Sequence, residues 1–378
     1  MTSFREEQET WERDNLCAAA KRSSDSRRWK VEEPDPYRTE YQRDIGRILY
    51  SNCFRRLRMK TQIFKASGSD QHNRTRLTHS LEVSQISRSI SRPLKLNVDL
   101  TEAIALGHDL GHTPYGHAGE KALQDCLTTM SFNHNVQSAW ILRNTLCNRL
   151  DLNGKPYPGF NLTYDVVEGV LKHTKCKVLF NELPRIELFN LDEPSSLEGQ
   201  VVDIADGIAY LKHDIDDGIR NDLITEYEFR KLWDDNTDLP FNNNWIDHLI
   251  LDVINSSKDK HQITFSPDFE KLHDKIKNFI LKNIILSPMV QSRDKEGIEK
   301  INAIFHFCMQ NPEFILKRNS KVNQYKLEHH GLERVIVDYI QWLGDENADM
   351  TYKSIKDNIY HDDQINELDD YFEEKSAM

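Results

Sequence analysis

The chain has 378 residues, 29% of them charged, and a formal net charge of -12, with a mean hydropathy of -0.67. That length supports one large or two small domains with a sizeable core, while the acidic balance argues against broad adhesion to nucleic acid or an anionic membrane, and no stretch approaches the roughly 20 apolar residues that span a bilayer. Met1 to Asp14 is polar and lacks the apolar run of a secretory signal, so the cytoplasm is expected, and the six cysteines show no CxxC pair and read as reduced thiols.

The first 36 residues are polar and end in Glu32-Glu33-Pro34-Asp35-Pro36, which reads as a loop or arm over 1–36. From Tyr37 to about Lys65 the pattern is helical, with Ser67-Gly68-Ser69-Asp70 closing it. Within that stretch Arg55-Arg56-Leu57-Arg58-Met59-Lys60 is a local cluster of positive charge where a phosphate-bearing ligand would be met. Leu77 to Ile90 predicts a helix whose inward stripe is His79, Val83, Ile86 and Ile90. Asp99 and Glu102 resemble a capping box for a helix running to His108-Asp109. Gly111, Pro114 and Gly116 predict a tight turn, with helix resuming from Glu120. Asn148 to Asn161 reads as a loop, and Leu197 to about Ile219 as another helix. After Asp222 the chain is more polar and less patterned, and from Gly344 it is acid-rich. The expectation is an all-α protein: a helical catalytic core over 37–220, and a helical accessory region, 221–378, packed on it.

Titratable groups crowd His108-Asp109-Leu110-Gly111-His112 and the residues just beyond it. His79 alone would be an ordinary core or surface histidine, and a His-Asp dipeptide alone arises by chance. Joined to Asp206 on a separate helix, they supply two nitrogens and two carboxylates, a set that suits Mn, Fe, Zn, Co or Mg and disfavours calcium. Asp206, Tyr210 and Asp214 form an i, i+4, i+8 stripe. Nearby Asp203, Asp216 and Asp217 allow that stripe to be a solvated acidic face. Against this, Ile204, Ala205, Ile208, Ala209 and Leu211 make the helix largely apolar, where a carboxylate is costly to bury without a metal or polar ligand. His117 and Glu120, at i and i+3, can act as a proton-transfer pair or form a plain surface turn. Arg76, one turn before His79, is either an ordinary exposed arginine or a guanidinium held where a phosphate would bind.

Several stretches taken in order resemble the deoxynucleotide triphosphohydrolases of the HD superfamily, the bacterial dGTPase-like group above all. They are Phe54 to Gln62, Arg74 to Val83, Gly107 to Glu120, Phe132-Asn133-His134-Asn135-Val136-Gln137-Ser138, Asn161 to Tyr164, Ile204 to Tyr210 and His213-Asp214, with a weaker echo from Arg334 to Ile340. The resemblance covers about Tyr37 to Ile340. It implies an HD-domain helical core in which His79, His108, Asp109 and Asp206 hold one divalent metal, manganese or magnesium before cobalt, iron or zinc. Asp206 is chosen over Asp203 because Tyr210 follows it by one helical turn, where the family has its substrate tyrosine. By the same mapping His117 and Glu120 are catalytic, Arg76, His112 and His134 contact the triphosphate, and Gln62, Tyr210 and Asp214 the deoxyribose. Tyr210 would crowd the sugar's 2′ position and reject ribonucleotides.

The implied reaction is metal-assisted attack of water on the α-phosphorus of dGTP or another dNTP, releasing a deoxynucleoside and inorganic triphosphate. The implied partners are the dNTP and further copies of the chain in a tetramer or hexamer, with dNTPs or single-stranded DNA as open questions of allosteric control and no membrane partner. Gly207 departs from relatives that carry an acidic residue or a lysine there, and 221–326 aligns with none of their motifs. Two alternatives stand beside this reading: an HD phosphohydrolase acting on another nucleotide, and a catalytically silent nucleotide-binding regulator.

Overall fold

The computed structural model describes residues 2–62, 74–144, 149–150, 156–174, 196–242, 244–317 and 320–357, and the architecture over them is all-α. The exception is one antiparallel pair, β1 (Arg149–Leu150) with β2 (Pro156–Tyr157), inside the segment expected to be a loop. Ser67 to Asp70, Gly154 and the acid-rich stretch beyond residue 357 lie outside the described residues. Among the described residues no helix is long and apolar enough to cross a membrane.

Residues 1–36, expected to be a polar arm, contain a helix, α1 (Phe4–Asn15), closed by a reciprocal Ser3–Glu6 capping box. The segment is fastened to the core by charge. Arg28 donates to Asp44 Oδ1 at 2.5 Å and to Asn161 O at 2.6 Å, while inside the segment buried Glu12 accepts from Ser23 N and Oγ at 2.7 and 2.6 Å. The helical stretch expected from Tyr37 breaks in two, α2 (Glu40–Leu49) and α3 (Asn52–Arg56), because Ser51 accepts from Phe54 N and starts a new helix. A 3-10 turn over Leu57–Met59 follows.

Helix α4 (Arg76–Ser91) opens on a Thr75–Thr78 capping box, and its stripe of His79, Val83, Ile86 and Ile90 is buried. The expected Asp99–Glu102 box does not form. Asn97 caps α5 (Val98–Gly107), accepting from Leu100 N at 3.1 Å. That leaves Asp99 inside the first turn, where it accepts from Gln42 Nε2 instead. Helix α6 (Gly116–Cys126) starts earlier than expected, because Tyr115 (φ 61°) and Gly116 (φ 56°) turn the chain through the left-handed region. Then come α7 (His134–Asn144), α8 (Tyr164–Lys172) and the long α9 (Leu197–Arg220).

The weakly patterned region after Asp222 is also helical. It comprises α10 (Glu226–Asp234), α11 (Ile246–Ser257), α12 (Pro267–Ile280), α13 (Pro288–Gln310), α14 (Glu313–Leu316), α15 (Ser320–Trp342, kinked at Gly331) and α16 (Asp345–Lys356). Capping boxes and Pro-first turns start several of these helices, among them Thr225–Glu228, Ser266-Pro267 and Ser287-Pro288.

The buried side chains form two hydrophobic cores that cut across the expected boundary at 220. The first gathers apolar faces of α2, α4, α5, α7, α8 and α9 together with α10, α11 and α12. The second joins Ala122 and Leu123 of α6 to α13, α15 and Ala348 of α16. The cores meet at the C-terminal end of α15, where helix geometry leaves carbonyls without intrahelical partners. Two cations fill them: Arg56 Nε donates to Trp342 O at 2.7 Å, and buried Lys60 donates to Gln341 O at 2.6 Å and to His112 O at 2.5 Å. Arg56 and Lys60 of the basic cluster expected to meet phosphate are thus engaged in joining the cores. Burial, with Arg56 and Arg76 close by, pushes the Lys60 ammonium down to about 7.

Buried Glu198, in the first turn of α9, accepts Lys21 N and Asn97 N on one oxygen, both at 3.0 Å, and burial pushes its carboxyl up to about 7. An acid whose folded pKa is raised destabilises the fold as it ionises, so this group's contribution falls between the unfolded value near 4.3 and about 7 and is flat above. The expected outcome is that Glu198→Gln removes that part of the decline in thermal stability between pH 5 and 7.5. Parallel melting curves for the two proteins across that range would count against a raised carboxyl.

Candidate active site

The N-terminus of α4, the C-terminal end of α5 and the middle of α9 bring His79, His108 and Asp206 together, each offering an atom within 4.8 Å of the others. His79 Nε2 lies 2.9 Å from Asp206 Oδ1, and His108 Nε2 lies 3.6 Å from it and 3.5 Å from Asp109 Oδ1. His79 Nε2 and Asp206 Oδ1 are close but not aligned as a hydrogen bond, and both, with His108 Nε2, are buried polar atoms without a hydrogen-bond partner. Converging orphaned nitrogens and carboxylate oxygens at roughly 3 Å spacing are what ligands of one small cation look like. Asp203, the competing carboxylate on α9, is exposed.

The far side of each imidazole decides which nitrogen faces the cluster. His108 Nδ1 donates to Ala105 O at 2.7 Å, which leaves Nε2 as the nitrogen that faces the cluster. His213 Nε2 contacts Glu82, and its Nδ1 lies 3.2 Å from His79 Nδ1. Burial lowers His213 to about 4, so it is neutral. With its proton on the Glu82 side, it accepts from His79 Nδ1–H, and the His79 Nε2 lone pair turns toward Asp206. The residues present therefore fit a divalent cation.

Asp109 stands between this cluster and a second group, Asp109, His112 and His134, whose ligand atoms also lie within 4.8 Å of one another. Asp109 Oδ2 accepts from Arg76 Nη1 at 2.8 Å, and Oδ1 is 3.1 Å from His112 Nε2. Burial disfavours the Asp109 carboxylate, but His112, His108 and Arg76 together hold its pKa well below the usual range. Arg76, expected beside a phosphate, is buried against Asp109, with Gly116 leaving room for its guanidinium; a Cβ there would sit 3.0 Å from Nη2.

His112 is buried and stacks on His134, ring centroids 4.0 Å apart at 13°. Burial and the neighbouring Arg76 and His134 push His112 well below its ordinary value. Glu120 accepts from His134 N at 2.9 Å and Nδ1 at 3.2 Å, while its other oxygen lies 3.4 Å from Nδ1 of His117. These hydrogen bonds outweigh burial and hold Glu120 well below the carboxylate range. The His117 side chain is 69% exposed, with its ring 6.5 Å from that of Tyr210. Tyr210 also lies 4.8 Å from the His79 ring, centroid to centroid.

Gln62 is 6% exposed with both ends of its amide unpartnered, and Asp214 is 7% exposed with Oδ1 unpartnered. Burial, then Asp217, pushes the Asp214 carboxyl well above its ordinary value. Gln62 sits near the Arg76–Gly116 contact, its carbonyl 3.4 Å from where a Gly116 Cβ would be, and Asp214 is one helical turn beyond Tyr210.

Sequence reasoning gave no role to two buried groups here, His173 and His213, and expected a third, Lys60, to meet phosphate. His173 faces His134, Nε2 to Nε2 at 3.3 Å, and holds its own Nδ1 on Val170 O. His213 backs His79, and Lys60 holds His112 O. Only His213 left a signal, seven residues beyond Asp206 on the face of α9 that carries Tyr210.

The chain matches the HD domain model over residues 76–211, which contain both His/Asp groups. A second model, the phosphohydrolase-associated domain, matches 263–354, which overlaps the stretch, 221–326, that had aligned with none of the family's motifs. A deoxyguanosinetriphosphate triphosphohydrolase-like protein of Caldanaerobacter subterraneus subsp. tengcongensis is 37% identical over 346 residues, 90% of this chain and 92% of that one. Proteins of the same description from Desulfatibacillum aliphaticivorans and Wolinella succinogenes are each 36% identical, over 93% and 85% of this chain and 98% and 96% of theirs.

Removing the support behind His79 should loosen the cation without unfolding the protein. His213→Ala is expected to weaken Mn2+ binding ~10- to 100-fold, read by calorimetric titration of chelator-stripped protein. An unchanged affinity would deny His213 that role.

Proposed function

Since this chain belongs to the deoxyguanosinetriphosphate triphosphohydrolase-like family of HD-domain proteins, we propose that it hydrolyses dNTPs, dGTP among them, to a deoxynucleoside and inorganic triphosphate. Water would attack the α-phosphorus. The observation that carries this reading is the convergence of orphaned His79 Nε2, His108 Nε2 and Asp206 Oδ1 beside Asp109, one wall of a site whose other groups suit a triphosphate and a sugar. His79, His108, Asp109 and Asp206 would hold one divalent metal, manganese or magnesium first. Such an ion polarises a phosphate oxygen and lowers the pKa of water.

The remaining steps belong to the side chains. His112 and His134, stacked face to face, would receive the triphosphate oxygens, with Arg76 supplying positive charge from behind Asp109. Exposed His117, oriented through Nδ1 by Glu120, would present Nε2 to carry a proton of the water or of the leaving 5′-oxygen. Glu120 also orients His134, so one carboxylate aligns a phosphate contact and the proton carrier. The open valences of Gln62 and Asp214 suit hydroxyls of a sugar, with Tyr210 closing the 2′ side. The same reading carries with it a homo-oligomer, a tetramer or hexamer, working in the cytoplasm.

A panel of the four dNTPs, alone and mixed, with Mg2+ or Mn2+ and with or without single-stranded DNA, tests reaction, base preference and activation together. Deoxynucleoside and triphosphate in equal amounts are expected by ion-exchange chromatography. Production of dGDP or dGMP from dGTP would favour phosphohydrolysis of another kind, and no turnover would favour a silent nucleotide-binding regulator. Glu120→Ala should keep the metal and lose ~10²- to 10⁴-fold in kcat. A variant as fast as the parent would remove the His117–Glu120 pair from the chemistry.

A further inference from the structure

The metal group and the proton-transfer pair are anchored in different hydrophobic cores. His79, His108 and Asp206 ride on α4, α5 and α9 of the first core, whereas His117 and Glu120 ride on α6, which packs into the second with α13, α15 and α16. Angstrom-level registration between the two sets must come from whatever joins the cores near the site.

We propose that Asp345, the first residue of α16, is a positioning residue that holds the Gln62 segment and the turn into α6 in register with the His/Asp cluster. This rests on the dNTP-hydrolysis reading above. The Asp345 side chain is buried and uses both oxygens. Oδ2 accepts from Thr61 N at 3.1 Å and Thr61 Oγ1 at 2.6 Å, and Oδ1 accepts from Tyr115 N at 3.1 Å.

Each partner is next to a functional element. Thr61 precedes Gln62 and pairs in a bridge with Thr75, the N-cap of α4, while Arg76 N donates to Lys60 O at 3.0 Å. Tyr115 is the left-handed residue that turns the chain into α6, two residues before His117. One carboxylate thus ties the Gln62 strand, the start of the Arg76–His79 helix and the start of the His117–Glu120 helix to a single point. Gly344 makes the approach feasible, since a Cβ there would lie 2.5 Å from Met59 Cβ and 2.8 Å from Met59 O.

The chemistry requires a carboxylate. Two backbone N–H groups on opposite sides need an acceptor oxygen each, and the amide of asparagine offers only one. Asp345→Asn therefore breaks one tether and sets a donor against an N–H, with little change in volume. Thr61→Val removes only the hydroxyl tether on the Gln62 side and leaves the Tyr115 tether intact. Ala348→Gly, in the buried face of α16, weakens the second core without touching either tether.

The test compares these three variants and Thr61→Ser with the parent enzyme, holo and full length, for Mn2+ content, melting temperature, kcat and KM for dGTP at a temperature where the parent is folded. Asp345→Asn should keep its metal and lose ~10- to 100-fold in kcat, the scale of a sub-ångström to 1 Å misplacement. Thr61→Val should raise KM several-fold with kcat nearly unchanged, and Thr61→Ser should restore it. Ala348→Gly should lower the melting temperature while leaving both kinetic constants at parent values. Asp345→Asn behaving like Ala348→Gly would overturn the proposal. If Asp345→Asn does not fold, a parent-like KM in Thr61→Val overturns it equally. Absence of triphosphate from the parent enzyme would sink the functional reading and this inference with it, whereas an active parent with unaffected variants would sink the inference alone.

Discussion

A carboxylate 2% exposed inside a helical core has to be matched by positive charge and hydrogen bonds, and the arrangement of this protein follows from how Asp109 is matched. Arg76 from the start of α4 takes one oxygen, and His112 from one turn further along its own segment approaches the other. Those contacts join the start of α4 to the segment that follows α5. Beside Asp109, the Nε2 atoms of His79 and His108 lie 2.9 and 3.6 Å from Asp206 Oδ1 across the gap to α9. Such a concentration of buried acid and imidazole is expensive for the fold alone, which is the physical reason to read it as a cation site.

The outer ring of contacts is as ordered as the inner one. Ala105 O, Val170 O and the His213–Glu82 pair each hold the back nitrogen of an imidazole, so that Nε2 of His79 and of His108 faces the cluster. Glu120 does the equivalent for His117 and His134. The result is a gradient of exposure, from the buried His79 and Asp109 to an open His117.

The placement of some of these side chains could be read in the residues. The stripe through His79, Val83, Ile86 and Ile90 is buried as its 3.6-residue spacing requires, and Asp206 rather than Asp203 sits with the histidines. Local signals misled where two residues competed for one role. Asn97 caps α5 in place of Asp99, since the cap goes to the residue just outside the first turn. Arg56 and Lys60 resembled a phosphate site but satisfy the last carbonyls of α15, some 280 residues away, a demand invisible to local pattern. The segment before Pro36 looked like an arm because its apolar content is small, yet Arg28, paired with Glu40 and Asp44, fastens it to α2.

What the sequence determined by itself was the helical class, because helical period is a property of residues a few positions apart. It also carried the family, through motifs spread in order along the chain. What only the tertiary structure decided was which core each part of the site belongs to, and what holds those parts in register. The pairing of Asp345 with Thr61 and Tyr115, of His213 with His79, and of Lys60 with His112 spans 284, 230, 134 and 52 positions. Contacts at such separations leave no periodic trace, since they are set by the closing of two packed cores on one another.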